Sequence, residues 1–137
     1  MAESSKTALL GSTTFALQSC NSLYDRLFTF ESRHSSVRDL LQVLEKLSGS
    51  LDSLEGAIHS SAYGKLSLLT LPLRQCGHIC EGFDQQILTY SSRSDGDKKR
   101  FHSWSRLRYK DHDIESIKRL LTDYTSTTEV ALLYTSL

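Results

Sequence analysis

Along residues 37–58 the apolar positions are Val37, Leu40, Leu44, Leu47, Leu51, Leu54 and Ile58, and they are spaced by alternating steps of three and four. That spacing keeps all seven on one stripe of an α-helix, with Arg38, Gln42, Glu45, Lys46, Asp52 and Glu55 on the solvated side. Ser36 is placed to cap the helix, and Asp39, three residues on, completes a capping box at the positive end of the helix dipole. Gly49 and Gly56 weaken this helix without ending it, because the stripe continues across both. A seam this narrow needs other helices to cover it.

The rest of the chain supplies them. A helix is predicted from about Thr7 to Phe30, with Leu9, Leu10, Phe15, Ala16, Leu17, Cys20, Leu23, Tyr24, Leu27 and Phe28 as its apolar set. Gly11, Ser12, Thr13 and Thr14 make its first half the weaker half. Ser32 to Ser35 form a turn, and His59 to Gly64 read as a frayed end and loop. Thr70 is the natural N-cap for a helix from about Leu71 to Tyr90, since Pro72 then falls in the first turn. Leu73, Cys76, Cys80, Phe83, Ile87 and Tyr90 form its stripe. Ser91 to Asp97 is a turn or loop. A short helix carries Phe101, Trp104 and Leu107, and a last helix, capped by Asp111 or Asp113, carries Ile114, Ile117, Leu121, Tyr124, Thr128 and Ala131. No strand alternation or internal repeat is present. The pattern predicts an all-α fold, an antiparallel bundle of four long helices plus one short helix, as a single domain over residues 1–137.

Charge and composition narrow the function classes. Sixteen basic and sixteen acidic residues in 137 leave no net charge, so no overall field draws the chain to nucleic acid or membrane. The distribution is uneven: Arg93 to Arg119 holds nine basic and five acidic residues, net +4, against −4 elsewhere. Lys98, Lys99 and Arg100 are the core of a candidate anionic-surface patch, read either as a solvated helix face or as a contact for anionic lipid or an acidic partner. Three cysteines and no signal peptide point to a reducing, cytoplasmic setting, and no run approaches the roughly 18 apolar residues of a membrane span.

Candidate chemistry is sparse. Cys76, His78 and Cys80 have the residue types of metal ligands, but on a helix the two cysteines share the apolar face and His78 points about 200° away. The cysteines therefore read as small hydrophobes in the core, with no metal and no cofactor assigned. Asp111, His112 and Asp113 read as a solvated turn and cap, and His102 has no nucleophile motif beside it. No phosphate loop, dinucleotide fingerprint or paired catalytic carboxylates can be assembled, so no enzyme activity, small-molecule substrate or nucleic-acid partner is expected. Trp104, with Phe101 and Leu107, serves either to lock the short helix onto the bundle or to sit at a lipid interface among Lys98, Lys99, Arg100, Arg106 and Arg108.

The run from Trp104 through Leu107, Tyr109, Asp113, Leu121, Tyr124 and Thr127 to Leu132 resembles the C-terminal signature of the HeLo-like N-terminal domain of fungal STAND proteins. These are the NOD-like receptors of filamentous fungi, and the domain also occurs in ankyrin-repeat proteins and azaphilone pigment cluster proteins. The segments Phe15–Cys20, Val37–Leu40, Leu51–Glu55 and Cys76–Phe83 agree. The resemblance implies a non-enzymatic helical effector module at the N-terminus of a larger protein. Such a module is driven to oligomerise and then recruited to the plasma membrane in programmed cell death or heterokaryon incompatibility. It implies that Leu9, Leu10 and Phe15 contact lipid or a partner, although Leu9 to Leu17 as a helix would cover less than half of the roughly 30 Å hydrocarbon core. The alternative is a protein–protein interaction adaptor with no membrane activity. The membrane reading expects a loosely held first helix; the adaptor reading expects one that is packed and protected from hydrogen exchange.

Overall fold

The computed structural model describes residues 2–29, 35–91 and 111–135, and every element among them is helical. Four long helices carry the fold: α1 (Ala2–Thr29), α2 (Ser35–Ala57), α4 (Thr70–Ser91) and α5 (Asp111–Thr135), with a short α3 (Tyr63–Leu66) between α2 and α4. The architecture is the expected all-α bundle. The short helix expected around Phe101, Trp104 and Leu107 lies outside the described residues.

The seam on α2 is buried along its whole length, with no member from Val37 to Ile58 more than 2% exposed. Each fully buried leucine contributes about 1.5–3 kcal/mol relative to exposure, so this stripe is the fold's main hydrophobic asset. α2 begins at Ser35, which puts Ser36 inside the helix rather than at its cap.

Three sets of contacts fix the topology. α1 runs antiparallel to α2: the Cys20 thiol donates to the Leu44 carbonyl (3.3 Å), the Ser48 hydroxyl to Asn21 Oδ1 (2.8 Å), and the Thr14 hydroxyl lies 3.3 Å from Glu55 Oε2. α4 lies parallel to α1, with Gly77 against Phe15 and Asp84 against Ser22 and Arg26. α5 lies parallel to α2, with Lys118 near Asp39 (3.8 Å) and the Ser50 hydroxyl near Glu129 (3.4 Å). Successive long helices alternate in direction, but the order in space is α4, α1, α2, α5, and α4 meets α5 only lightly. α1 is thus an inner helix, clasped by α4 on one side and α2 on the other.

Three local expectations are revised. α1 starts at Ala2 rather than near Thr7 and is helical through its weak first half. The reason is that Thr13 sits in the seam, fully buried, with its hydroxyl donating to the Leu9 carbonyl at 2.7 Å, so a residue that competes with helix elsewhere is satisfied inside it. His59 to Gly64, expected as a frayed end and loop, are helical. The chain turns from α2 to α4 through a π-helical turn (Ile58–Ala62), α3, and a 3₁₀ turn (Ser67–Leu69). Hydroxyls at Ser60, Ser67 and Thr70 donate to the carbonyls three residues back, and the Thr70 N–H donates to the same Ser67 carbonyl as its hydroxyl. Thr70 therefore does not cap α4 from outside: its backbone is helical (φ −53°, ψ −50°), and α4 continues directly from the 3₁₀ turn. Pro72 lies in the first turn of α4, where its missing N–H costs nothing.

α5 is rich in threonine and helical for the same reason as α1. Thr122, Thr125, Thr127 and Thr128 each donate to the carbonyl four residues back at 2.8–2.9 Å. Its stripe is thinner than that of α2: Ile114, Leu121, Thr125 and Thr128 are buried, whereas Ile117, Tyr124 and Ala131 are half-buried.

Candidate interaction surfaces

The α1–α4 face joins a tight apolar contact to a buried ion pair. A Cβ at Gly77 would stand 2.5 Å from the Phe15 ring, so only glycine lets the ring lie where it does. Phe15 also meets the His78 imidazole, with ring centroids 5.0 Å apart and planes at 64°. Two turns further along, Asp84 is buried and accepts from the Ser22 hydroxyl (3.0 Å) and from the Arg26 guanidinium, whose side chain is 29% exposed. A shallow groove of about 230 Å³ runs between these features, past Gln18, Glu81 and Gln85. Ser22 and Asp84 also line it.

A second groove, about 400 Å³, lies between α2 and α5. Its floor is Val43 and Thr125, and Lys46 and Lys118 stand at its rim. Lys118 is engaged by Glu115 (2.8 Å) and, more distantly, by Asp39.

Among the described residues the exposed large apolar side chains lie toward both ends of the bundle, with Phe28, Leu88 and Leu120 away from the end where α1 starts. Leu68 (88% exposed) and Leu71 lie at the turn into α4, and Val130, Leu133 and Tyr134 lie in the last turns of α5. Because α5 runs parallel to α2 and reaches α3, both groups belong to the end where α1 starts. At the opposite end Phe28 is exposed and stacked on Tyr24, with ring centroids 5.9 Å apart.

The residues expected to meet lipid or a partner fall in three different settings. Leu9 is fully buried in the core, Leu10 is half-buried against it, and Phe15 is half-buried in the α1–α4 contact. The structure therefore does not bring them together on one free face. Lys98, Lys99 and Arg100 lie outside the described residues, as do His102 and Trp104. Cys76 and Cys80 are core residues, and His78 is exposed beside Phe15. Among the described residues no group of His, Cys, Asp or Glu side chains could hold a metal ion, and no helix is long and apolar enough to cross a membrane.

Sequence reasoning missed Asp84, Gly77 and the approach of Cys20 to the α4 cysteines. Hydrogen bonding to the neighbouring Cys20 and Cys76 thiols, together with burial, pushes the Cys80 pKa far above the ordinary thiol value. A signal for Asp84 was present in principle: it sits one turn beyond Cys80, beside the buried stripe, where a carboxylate needs a partner.

Residues 3–137 match the family described as the N-terminal domain of pigment biosynthesis cluster protein PigL. No curated protein and no solved structure matches the chain.

Proposed function

Because the chain belongs to the PigL N-terminal family, we propose that it is a non-enzymatic assembly module of the HeLo-like kind, acting inside a fungal cell as the N-terminal signalling part of a larger protein. The pigment-cluster description agrees with one of the settings in which the HeLo-like resemblance places such domains. The observation that carries the reading is the exposure of large apolar side chains at the turn into α4 (Leu68, Leu71) and in the last turns of α5 (Leu133, Tyr134). Exposed apolar side chains that group together are a feature of surfaces that meet a partner. Self-association through these residues is the proposed first step, and recruitment to an anionic membrane surface, through the basic segment with Lys98, Lys99 and Arg100, is the proposed second.

The packing of α1 favours a second reading, the adaptor that docks protein partners and does not act on lipid. Releasing α1 would expose Leu9, Ala16, Cys20, Leu23 and Leu27, all of which have no exposed surface in the bundle. The two readings separate in one set of measurements. Light scattering over a concentration series should show association that Leu133→Asp combined with Leu68→Asp abolishes, with the fold intact by circular dichroism. Flotation with neutral and anionic liposomes, with Lys98→Glu, Lys99→Glu and Arg100→Glu as the control, then reports membrane contact. Hydrogen exchange of α1 should change on liposomes only if α1 leaves the bundle. A monomer at every concentration would sink the assembly step, and association without flotation would select the adaptor.

A further inference from the structure

The groove between α1 and α4 carries polar groups that its own helices leave unused. Gly77 faces Phe15 and Asp84 faces Ser22, so in the same parallel register Ser19 falls opposite Glu81. Ser19 lines the groove and is 8% exposed, yet its hydroxyl has no hydrogen-bond partner among the described residues. A buried hydroxyl in that state has given up its hydration without a replacement. Thr13, on the same helix, avoids this by donating to the Leu9 carbonyl. Glu81 is exposed at the rim and has no ion-pair partner among the described residues. Gln18 and Gln85 add side-chain amides, and Phe15 adds an apolar surface.

Charge and size select the ligand. The Asp84 carboxylate is matched by the Arg26 guanidinium, which leaves Glu81 as the uncompensated charge of the groove. A divalent metal gives up its hydration only for a fuller set of anionic and carbonyl oxygens, and a guanidinium on Asp84 opposes it. An organic cation of single charge suits one free carboxylate beside an aromatic ring. The volume of about 230 Å³ is smaller than sites that take cofactors or drug-sized molecules, and it suits one extended side chain.

We propose that the α1–α4 groove binds an alkylammonium or alkylguanidinium cation, the chemistry shared by lysine and arginine side chains and by free aliphatic amines. The methylene stem lies along Phe15, and the N–H groups donate to the Glu81 carboxylate and the Ser19 oxygen. An occupant held by both helices stabilises their contact by the free energy of its own binding, and so keeps α1 in the bundle.

The test is a titration of the isotope-labelled chain with agmatine and with n-butylamine, read by amide chemical shifts, with n-butanol as the neutral control. Saturable shifts are expected at Gln18, Ser19, Glu81 and Gln85, with a Kd of about 1 mM, as suits so few ligand atoms. Glu81→Gln should weaken binding about tenfold, and Ser19→Ala about threefold. Glu81 is exposed, so its variant keeps the fold and decides the matter even where Ser19→Ala disturbs packing. A glycine-flanked arginine peptide assigns the source. Tighter binding than agmatine supports a partner's side chain, and weaker binding supports a free amine. No saturation by about 50 mM amine, equal shifts from n-butanol, or binding that Glu81→Gln leaves unchanged would each overturn the proposal. Saturation of the same amides by magnesium or calcium at lower concentration would overturn it as well.

Discussion

At the scale of single residues, the fold depends on where polar groups have been given partners inside it. Thr13 and Thr125 return their hydroxyls to their own helix and are buried without penalty. Asp84 cannot do that, and its charge rests on Ser22 and Arg26 across the helix interface. The two members of that pair differ in exposure, 7% for the Asp84 side chain against 29% for Arg26, and this sets an asymmetry. Arg26→Ala leaves a buried carboxylate with the Ser22 hydroxyl as its one remaining described partner and should cost about 3 kcal/mol. Asp84→Ala leaves a guanidinium that is already partly exposed and should cost about 1–2 kcal/mol. Urea unfolding of both variants checks the order, and equal losses would mean that the carboxylate is not held by the pair. The seven seam residues of α2 were legible in the sequence because their spacing is a property of one helix. The Asp84 pair was not, because its partner is set by which helices lie side by side.

At the scale of elements, the parallel packing of α1 on α4 is the least expected feature and rests on small residues at one crossing. Helix number and most of each buried stripe follow from three-four periodicity, which appears equally in an isolated helix. Neighbour order does not, because any four amphipathic helices can cover one another in several arrangements of similar burial. The turn through residues 59–64 was misread for a related reason: serine and glycine usually mark loops, but here the hydroxyls close helical turns on their own backbone. Gly77 tests the α1–α4 crossing directly. Alanine there gains about 1 kcal/mol of helix propensity, yet its Cβ would have to displace the Phe15 ring from its place beside His78. Overpacking of this kind costs about 1–3 kcal/mol, so Gly77→Ala should be destabilising by about 1 kcal/mol net. Shortening Phe15 to alanine removes the obstacle, and in the Phe15→Ala background the same change should become stabilising. A double-mutant cycle in thermal or urea unfolding reads the sign reversal, and additive effects would mean that the ring is not pressed on Gly77 in solution.

At the scale of the whole molecule, the stability of the bundle is coupled to pH through its centre. Below the ordinary thiol range Cys80 is protonated in both folded and unfolded chains and contributes no pH dependence. The unfolded thiol releases its proton near its ordinary value of 9.0, whereas the folded one holds it well above that, because its thiol neighbours and burial both disfavour a thiolate. From that point upward the folded chain binds more protons than the unfolded chain, so stability falls as pH rises, by up to about 1.4 kcal/mol per pH unit for this group. The Tyr124 phenol, its pKa raised by burial, acts in the same direction at higher pH. The reduced protein, kept in a phosphine reductant, should have a urea midpoint that is flat from pH 6 to 8 and declines between pH 9 and 10. In Cys80→Ala the midpoint at pH 7 should drop with the lost packing, and the decline above pH 9 should become shallower. An identical decline in the variant would place the titrating group elsewhere and would remove the physical basis for treating Cys80 as a shielded thiol. A shallower one would show that the same burial that keeps Cys80 inert at neutral pH makes the closed bundle the state that protects it.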